Sequence, residues 1–320
     1  MQISDSMTFY ACKLVLVTGG SGFVGSHLVE ALLAVGASVL VPLHKQPLRV
    51  GAGCVEEIVA DLTQYDQCLE VMRGIDYVFH AAGSVGAAGI PPSGQMLLIN
   101  ENLQLTGNVL RAAWEAGVKR LLIFGSSTGY PDLHHPVCED EMWSGPPHPA
   151  YLGYGWMRRY LEKMAEFVVS RSELKIAIVR PTAVYGERDD SGHVIPSLIR
   201  RALNHENPFV LWGDGSEIRD FLHVADLVRG ALLLLERYAE CDPVNIGYGT
   251  ACTIHEVAAK VLKYSGHKTC LLQPDLSKPS TIPYRAVSID KARQLLNFTP
   301  EISLDEGLKR AVAYYGSLQS

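Results

Sequence analysis

Lys13-Leu14-Val15-Leu16-Val17-Thr18-Gly19-Gly20-Ser21-Gly22-Phe23-Val24-Gly25 is the stretch on which the fold turns. Its first five residues form a short apolar run, rich in β-branched side chains, that stops at glycines, as a buried parallel strand does. From Ser26 to Val35 the apolar residues recur at helical spacing, and Gly36 closes the segment as a C-cap would. Three glycines alone are weak evidence of a nucleotide site; between a strand and a helix they are strong evidence. Gly19, Gly22 and Gly25 permit a tight turn, let the backbone approach a pyrophosphate and leave that charge at a helix N-terminus opened by Phe23 and Val24.

Outward from this turn the alternation continues. Ser38–Val41, Glu57–Ala60, Tyr77–His80, Leu121–Phe124 and Lys175–Val179 read as strands, with helices expected at Gln67–Arg73 and Leu103–Glu115. Strand and helix taking turns predicts an α/β fold, a Rossmann-like doubly wound parallel sheet over residues 1–186. Beyond Gly186 the pattern gives way to loops, short helices and scattered strands. Residues 187–320 are therefore expected to form a smaller substrate lobe, with segments near 221–248 returning to the sheet.

A carboxylate after the second strand would accept the ribose 2′-hydroxyl of NAD. Here that place holds Leu43, followed by His44 and Lys45 with Arg49 close behind, a basic set suited to the 2′-phosphate of NADP. NADP(H) is the expected cofactor and NAD the alternative. Asp61-Leu62, after the third strand, is placed to bracket the adenine, although an Asp there equally suits a helix cap.

Composition narrows the class. With 320 residues, 48% hydrophobic and 19% charged, the chain is ordinary for a folded enzyme. A net charge of −6 argues against nucleic acid as a partner. Seven scattered cysteines without a C-x-x-C pair give no metal site and no disulfide framework, and suit a reducing cytoplasm. The first twelve residues lack the basic head and apolar run of a signal peptide, and no stretch reaches the ~20 apolar residues that span a bilayer, so no membrane partner is expected.

Several segments carry a likeness to a known family: the glycine turn, His80-Ala81-Ala82-Gly83, Asn102 read as heading a helix, Gly125-Ser126-Ser127 and Arg180-Pro181-Thr182-Ala183-Val184-Tyr185-Gly186. From Lys13 to about Tyr315 the chain resembles the extended short-chain dehydrogenase/reductases that act on nucleotide sugars, the NAD-dependent epimerase/dehydratase type. Leu121–Ser127, Tyr130-Pro131 and Gly192-His193-Val194-Ile195-Pro196 with Arg200-Arg201 resemble the GDP-L-fucose synthases and related 4-keto-sugar reductases. The resemblance implies cofactor contacts at Gly19, Gly22, Phe23, Val24, Gly25, Ala81, Ala82, Gly83, Asn102 and Pro181. It also implies a nucleotide-diphosphate sugar as substrate, and a homodimer through helices near Asn102–Glu115 and Tyr154–Val169.

In such enzymes a Tyr, and a Lys four residues on, protonate the carbonyl oxygen. Here the pair is Tyr154 and Arg158: the charge survives, but a guanidinium cannot release a proton. Tyr154 is the expected acid, Arg158 its electrostatic partner and a second cofactor contact, and Ser126 the hydroxyl on the substrate oxygen. At Ser127 and Thr128 the related dehydratases carry an acidic pair, so elimination of water is not expected. The fucose-synthase branch has a cysteine where this chain has Thr128 and a histidine where it has His193, a pair implied to move protons during epimerisation. A threonine hydroxyl is far too weak an acid for that task. Arg219 and Arg201, assisted by Lys278, resemble diphosphate-binding residues, and Ser127 and Trp212 fall on the same substrate side.

Together these readings predict reduction of a nucleotide-linked 4-keto sugar by NADPH, with C3/C5 epimerisation weakened or absent. A nucleotide-sugar 4-epimerase holding NAD tightly is the first alternative. A non-catalytic NADP-binding sensor or scaffold, prompted by the missing lysine, is the second.

Overall fold

The computed structural model describes residues 9–44, 46–50, 55–84, 92–267, 270–278 and 282–319. Leu14–Thr18 (β1), Ser38–Leu43 (β2), Val55–Val59 (β3), Tyr77–His80 (β4), Arg120–Phe124 (β5), Lys175–Pro181 (β6) and Val244–Ile246 (β10) form one seven-stranded sheet in the order β10-β6-β5-β4-β1-β2-β3. Every pairing in it is parallel. The order reverses between β1 and β4, so the crevice that such sheets use for ligands opens above Thr18 and its register partner His80.

Alternation along β1 explains the two layers. Val15 and Val17 pack into a core with the helices Phe23–Ala34 (α1) and Val224–Arg237, while Leu16 joins the opposite core with Tyr65–Val71 (α2), Pro92–Glu115 (α3) and Leu152–Val169 (α4). A third core lies beyond the sheet, where Phe209, Leu211, Tyr185 and Phe221 meet the helices Val194–Leu203, Ile254–Tyr264 and Leu304–Ser317. The short strands Ala183–Tyr185 (β7), Ile218–His223 (β9), Ala251–Thr253 (β11) and Tyr284–Arg285 (β13) form a second small sheet there, and Phe209–Trp212 (β8) pairs in parallel with Leu272–Asp275 (β12).

Two helix starts differ from expectation. The helix expected from Ser26 begins at Phe23, because extended Gly22 serves as its N-cap and the glycine turn runs straight into it. The helix expected from Leu103 begins at Pro92, eleven residues earlier; proline at the first helical position costs no hydrogen bond. Among the described residues no helix is long and apolar enough to cross a membrane, and no group of three or more His, Cys, Asp or Glu side chains is placed to hold a metal ion.

Candidate active site

Crowding fixes the glycine turn. Gly19 has φ +70°, and a Cβ there would lie 2.7 Å from the Ala82 backbone; a Cβ on Gly25 would lie 2.0 Å from the Gly19 carbonyl oxygen. No side chain caps the α1 N-terminus and no acidic residue sits in its first turn, so its first N–H groups suit a diphosphate. The residues fit a dinucleotide. Beneath them Thr18 Oγ1 lies 2.7 Å from His80 Nδ1, and Thr106 Oγ1 lies 3.1 Å from His80 Nε2. Burial, and then the charge of Arg158, push the His80 imidazole down to about 3, so it stays neutral. Thr18 Oγ1 also accepts the Ala82 N–H at 3.2 Å, which ties the Ala81–Gly83 loop to β1.

At the end of β2, Leu43 is half-buried and His44 exposed; Lys45 lies outside the described residues. Arg49 is drawn away to Asp190 (2.5 Å) and to the Arg188 carbonyl. Asp61 accepts the N–H and hydroxyl of Thr63 at 3.0 and 2.7 Å, the capping alternative, while Leu62 is buried in the core. Pro181 ends β6, in register with Ile246 of β10.

Tyr154 and Arg158 stand one turn apart near the start of α4. Arg158 Nη2 donates to Tyr154 Oη at 2.5 Å and Nη1 to the Phe124 carbonyl at 3.1 Å, which anchors the guanidinium to the end of β5. Its Nε is buried with no hydrogen-bond partner among the described residues. Lys163 is exposed on Glu166 and cannot replace it. Ser126 Oγ accepts the N–H and the hydroxyl of Thr128 at 3.1 and 2.8 Å. That turn presses on the helix beside Tyr154, since a Cβ on Gly155 would meet Thr128 O at 2.7 Å and Pro147 Cβ at 2.6 Å. Buried Arg159 holds the same turn from below, with Nε on Gly129 O and Nη2 on Gly145 O, both at 2.8 Å.

On the substrate side Arg219 of β9 and Arg285 of β13 are register partners. Burial, and then the charge of Arg285, lower Arg219 to about 10. Arg285 lies 5.2 Å over the Tyr151 ring, and its Nη1 is buried without a hydrogen-bond partner among the described residues. Two adjoining guanidiniums repel each other, and an arriving anion would relieve the repulsion.

Residues 15–247 match the NAD dependent epimerase/dehydratase family. The chain belongs to that family. Members similar to it include GDP-L-fucose synthase 1 of Arabidopsis thaliana, 31% identical over 97% of this chain and 95% of that protein. A dTDP-4-dehydro-6-deoxy-D-allose reductase of Streptomyces is 29% identical over 96% and 97%. Among solved structures, UDP-glucose 4-epimerase of Thermotoga maritima superposes with a TM-score of 0.85 at 26% identity, covering 96% of this chain and all of that one.

In this member of the NAD-dependent enzyme family one sequence-based expectation for a site residue fails, at Asn102, and four other expected residues have surroundings of their own. Asn102 does not head a helix; it is buried mid-way along α3, where its Nδ2 donates to Ser84 O (2.8 Å) and Leu98 O (2.7 Å), and its Oδ1 is what a Cβ on Gly83 would strike. Arg201 commits its fork to Glu206 at 2.6 and 2.7 Å and to Val210 O, so a diphosphate would have to compete with a carboxylate already in place. His193 is an exposed N-cap residue, and among the described residues no hydrogen bond joins its imidazole to Thr128, Ser126 or Tyr154. Trp212 and Lys278 are exposed and face each other at 5.9 Å. Arg285 was not foreseen: a two-residue strand has no period to read, and only its pairing with β9 brings it to Arg219.

Proposed function

We propose that this protein reduces the C4 ketone of a nucleotide-linked 4-keto sugar with NADPH, with little or no epimerisation at C3 and C5. The observation that carries the reading is the Arg158–Tyr154 contact. A permanent cation held by Phe124 O lies against the phenol and stabilises the phenolate left when Tyr154 gives its proton to the sugar oxygen. Bound NADPH supplies the hydride. Ser126, its hydroxyl proton free because both Thr128 contacts donate to it, is available to hydrogen-bond the same oxygen. The Arg219–Arg285 pair suits the diphosphate. Arginine cannot relay a proton, so Tyr154 recovers its own from water or a hydroxyl.

Weak epimerisation is supported by Thr128, a weakly acidic hydroxyl already donating to Ser126, and by His193, whose imidazole has no hydrogen bond to it among the described residues. NADPH is favoured over NADH by the absence of a carboxylate at Leu43 and by His44 beside it. Mixing the protein with GDP-4-keto-6-deoxymannose and NADPH in deuterated water should consume NADPH and give a product without deuterium at C3 or C5. No oxidation with any nucleotide 4-keto sugar would overturn the reading.

A 4-epimerase is the second reading, favoured by the likeness to the Thermotoga enzyme. It requires near-stoichiometric NAD in the purified protein and interconversion without net redox change.

A further inference from the structure

Arg180 of β6 meets the hydroxyl turn at both of its ends. At the first end it packs on Gly125, where an added Cβ would lie 3.1 Å from Arg180 Cγ and 2.6 Å from Glu162 Oε1. At the other end Arg180 Nη1 donates to Tyr130 Oη at 3.0 Å, and to the Glu139 carbonyl at 2.8 Å. Between these two anchors lie Ser126 and Thr128, in the turn that presses on α4 at Gly155. Tyr130 is itself fixed: its hydroxyl donates to Asn245 Oδ1 at 2.7 Å, and Asn245 is the register partner of Arg180 on β10.

The rest of the guanidinium faces the helix. Arg180 Nε and Nη2 donate to Glu162 Oε1 and Oε2 at 2.9 and 2.7 Å, a fork with both side chains buried. Glu162 stands one turn beyond Arg158 and two beyond Tyr154 along α4. Stability is a weak reason for such a pair, because apolar side chains of similar volume are often as stable as two buried charges. What the fork supplies, and an apolar contact does not, is a set distance and angle.

We propose that Arg180, with Glu162 and Tyr130, is a positioning residue: it holds the hydroxyl turn in register with α4 and so sets the distance of Ser126 from Tyr154. This rests on the reading of Tyr154 and Ser126 as the reacting groups. Among the described residues the hydrogen bonds of Arg180 run to Glu162, Tyr130 and Glu139 and none to the glycine turn, so cofactor binding should not depend on it.

Hydrogen exchange followed by mass spectrometry on the NADPH-loaded protein tests the geometry without turnover. In Tyr130→Phe, which removes one oxygen from the junction, peptides covering 126–130 should exchange about tenfold faster than in the wild type. Peptides covering the glycine turn should exchange at the wild-type rate. Glu162→Gln, which keeps the shape but takes the counter-charge from a buried guanidinium, should loosen the turn further; if it fails to fold, Tyr130→Phe decides. Turnover supplies a second readout. In Tyr130→Phe, kcat should fall about tenfold while NADPH affinity stays within about twofold of wild type, a split that a mere loss of folded protein would not give. Unchanged exchange at 126–130 in Tyr130→Phe would overturn the proposal. So would equal acceleration at the glycine turn, or an unaltered kcat in a reaction that the wild type performs. If the turn loosens as expected while no 4-keto sugar oxidises NADPH, only the reductase reading fails.

Discussion

In the proposed reaction Arg158 would keep the electrostatic half of a lysine's role and lose the proton-relay half, and substitutions separate the two. Tyr154→Phe should lower kcat about 1,000-fold with NADPH affinity retained, since only the acid is removed. Arg158→Met should cost about 100-fold by leaving the developing phenolate without its cation. Arg158→Lys should stay within about tenfold of wild type, because an ammonium keeps the charge but not the fork between Phe124 O and the phenol. A Tyr154→Phe enzyme with unchanged turnover would remove Tyr154 from the chemistry. His80 gives a prediction about stability. Its folded value, about 3, lies below its unfolded one of 6.5, so the unfolded chain takes up the proton first as pH falls. Its stabilising contribution is therefore complete above pH 6.5 and is lost progressively on the way down to about 3. Between pH 6.5 and 5 the loss from this one group should be about 2 kcal/mol. Urea unfolding of His80→Asn should show a correspondingly flatter dependence in that window, although the variant is weaker at neutral pH for want of its Thr18 and Thr106 partners.

At the scale of elements, two glycines make two different joints. A Cβ on Gly25 would fall 2.0 Å from Gly19 O and open the turn that receives the diphosphate, so Gly25→Ala should weaken NADPH binding by about 100-fold or more. A Cβ on Gly155 would push Thr128 and Pro147 away from α4, so Gly155→Ala should leave NADPH binding near wild type and lower kcat about 100-fold by displacing the hydroxyl turn from Tyr154. Equal effects on binding from both variants would show that the joints are not separate. These elements differ in how readable they are from sequence. Runs such as Leu121–Phe124 and Lys175–Val179 are strands by composition alone, because a strand buried on both faces must be apolar throughout. The glycine turn is legible for the same local reason. The first eleven residues of α3 were not: Met96 and Leu97 sit on the exposed side, so the apolar stripe that marks a helix is blurred until Leu98. Asn102 was misplaced with them. Strands of two or three residues, such as Tyr284–Arg285 and Ala251–Thr253, have no period at all, and the Arg219–Arg285 pair exists only through contacts 66 positions apart in sequence. Tyr154 and Arg158 were singled out through the family resemblance, and their hydrogen-bonded proximity one turn apart follows from helix geometry; Arg201's capture by Glu206 was not legible, since nothing in the adjacent arginines says which of them a nearby carboxylate will take.

On the scale of the whole molecule, the unexplained feature is an apolar outer face on α3 and α4. Leu152, Trp156, Tyr160 and Phe167 follow one another at helical spacing along α4 and are 46, 45, 59 and 58% exposed; Met96 and Leu97 on α3 are 54 and 58% exposed. Single exposed apolar residues need no cause, but several at helical spacing on one helix, with more on its packed neighbour, suit an interaction surface. A second copy of the chain is the proposed occupant, as the family resemblance implies, with each protomer giving two helices to a shared bundle. Such a contact would bear on catalysis, because Tyr154 and Arg158 stand on the same helix, and a helix gripped on its outer face holds its inner side chains more tightly. Sedimentation equilibrium should therefore give twice the chain mass of 35.0 kDa for the wild-type protein. A Tyr160→Glu/Phe167→Glu double variant, which buries carboxylates in the proposed seam, should sediment as a single chain. Because its substitutions lie beyond the first turn of α4, NADPH binding should persist while kcat falls several-fold. A wild-type protein that sediments at 35.0 kDa would leave this apolar face to some other partner.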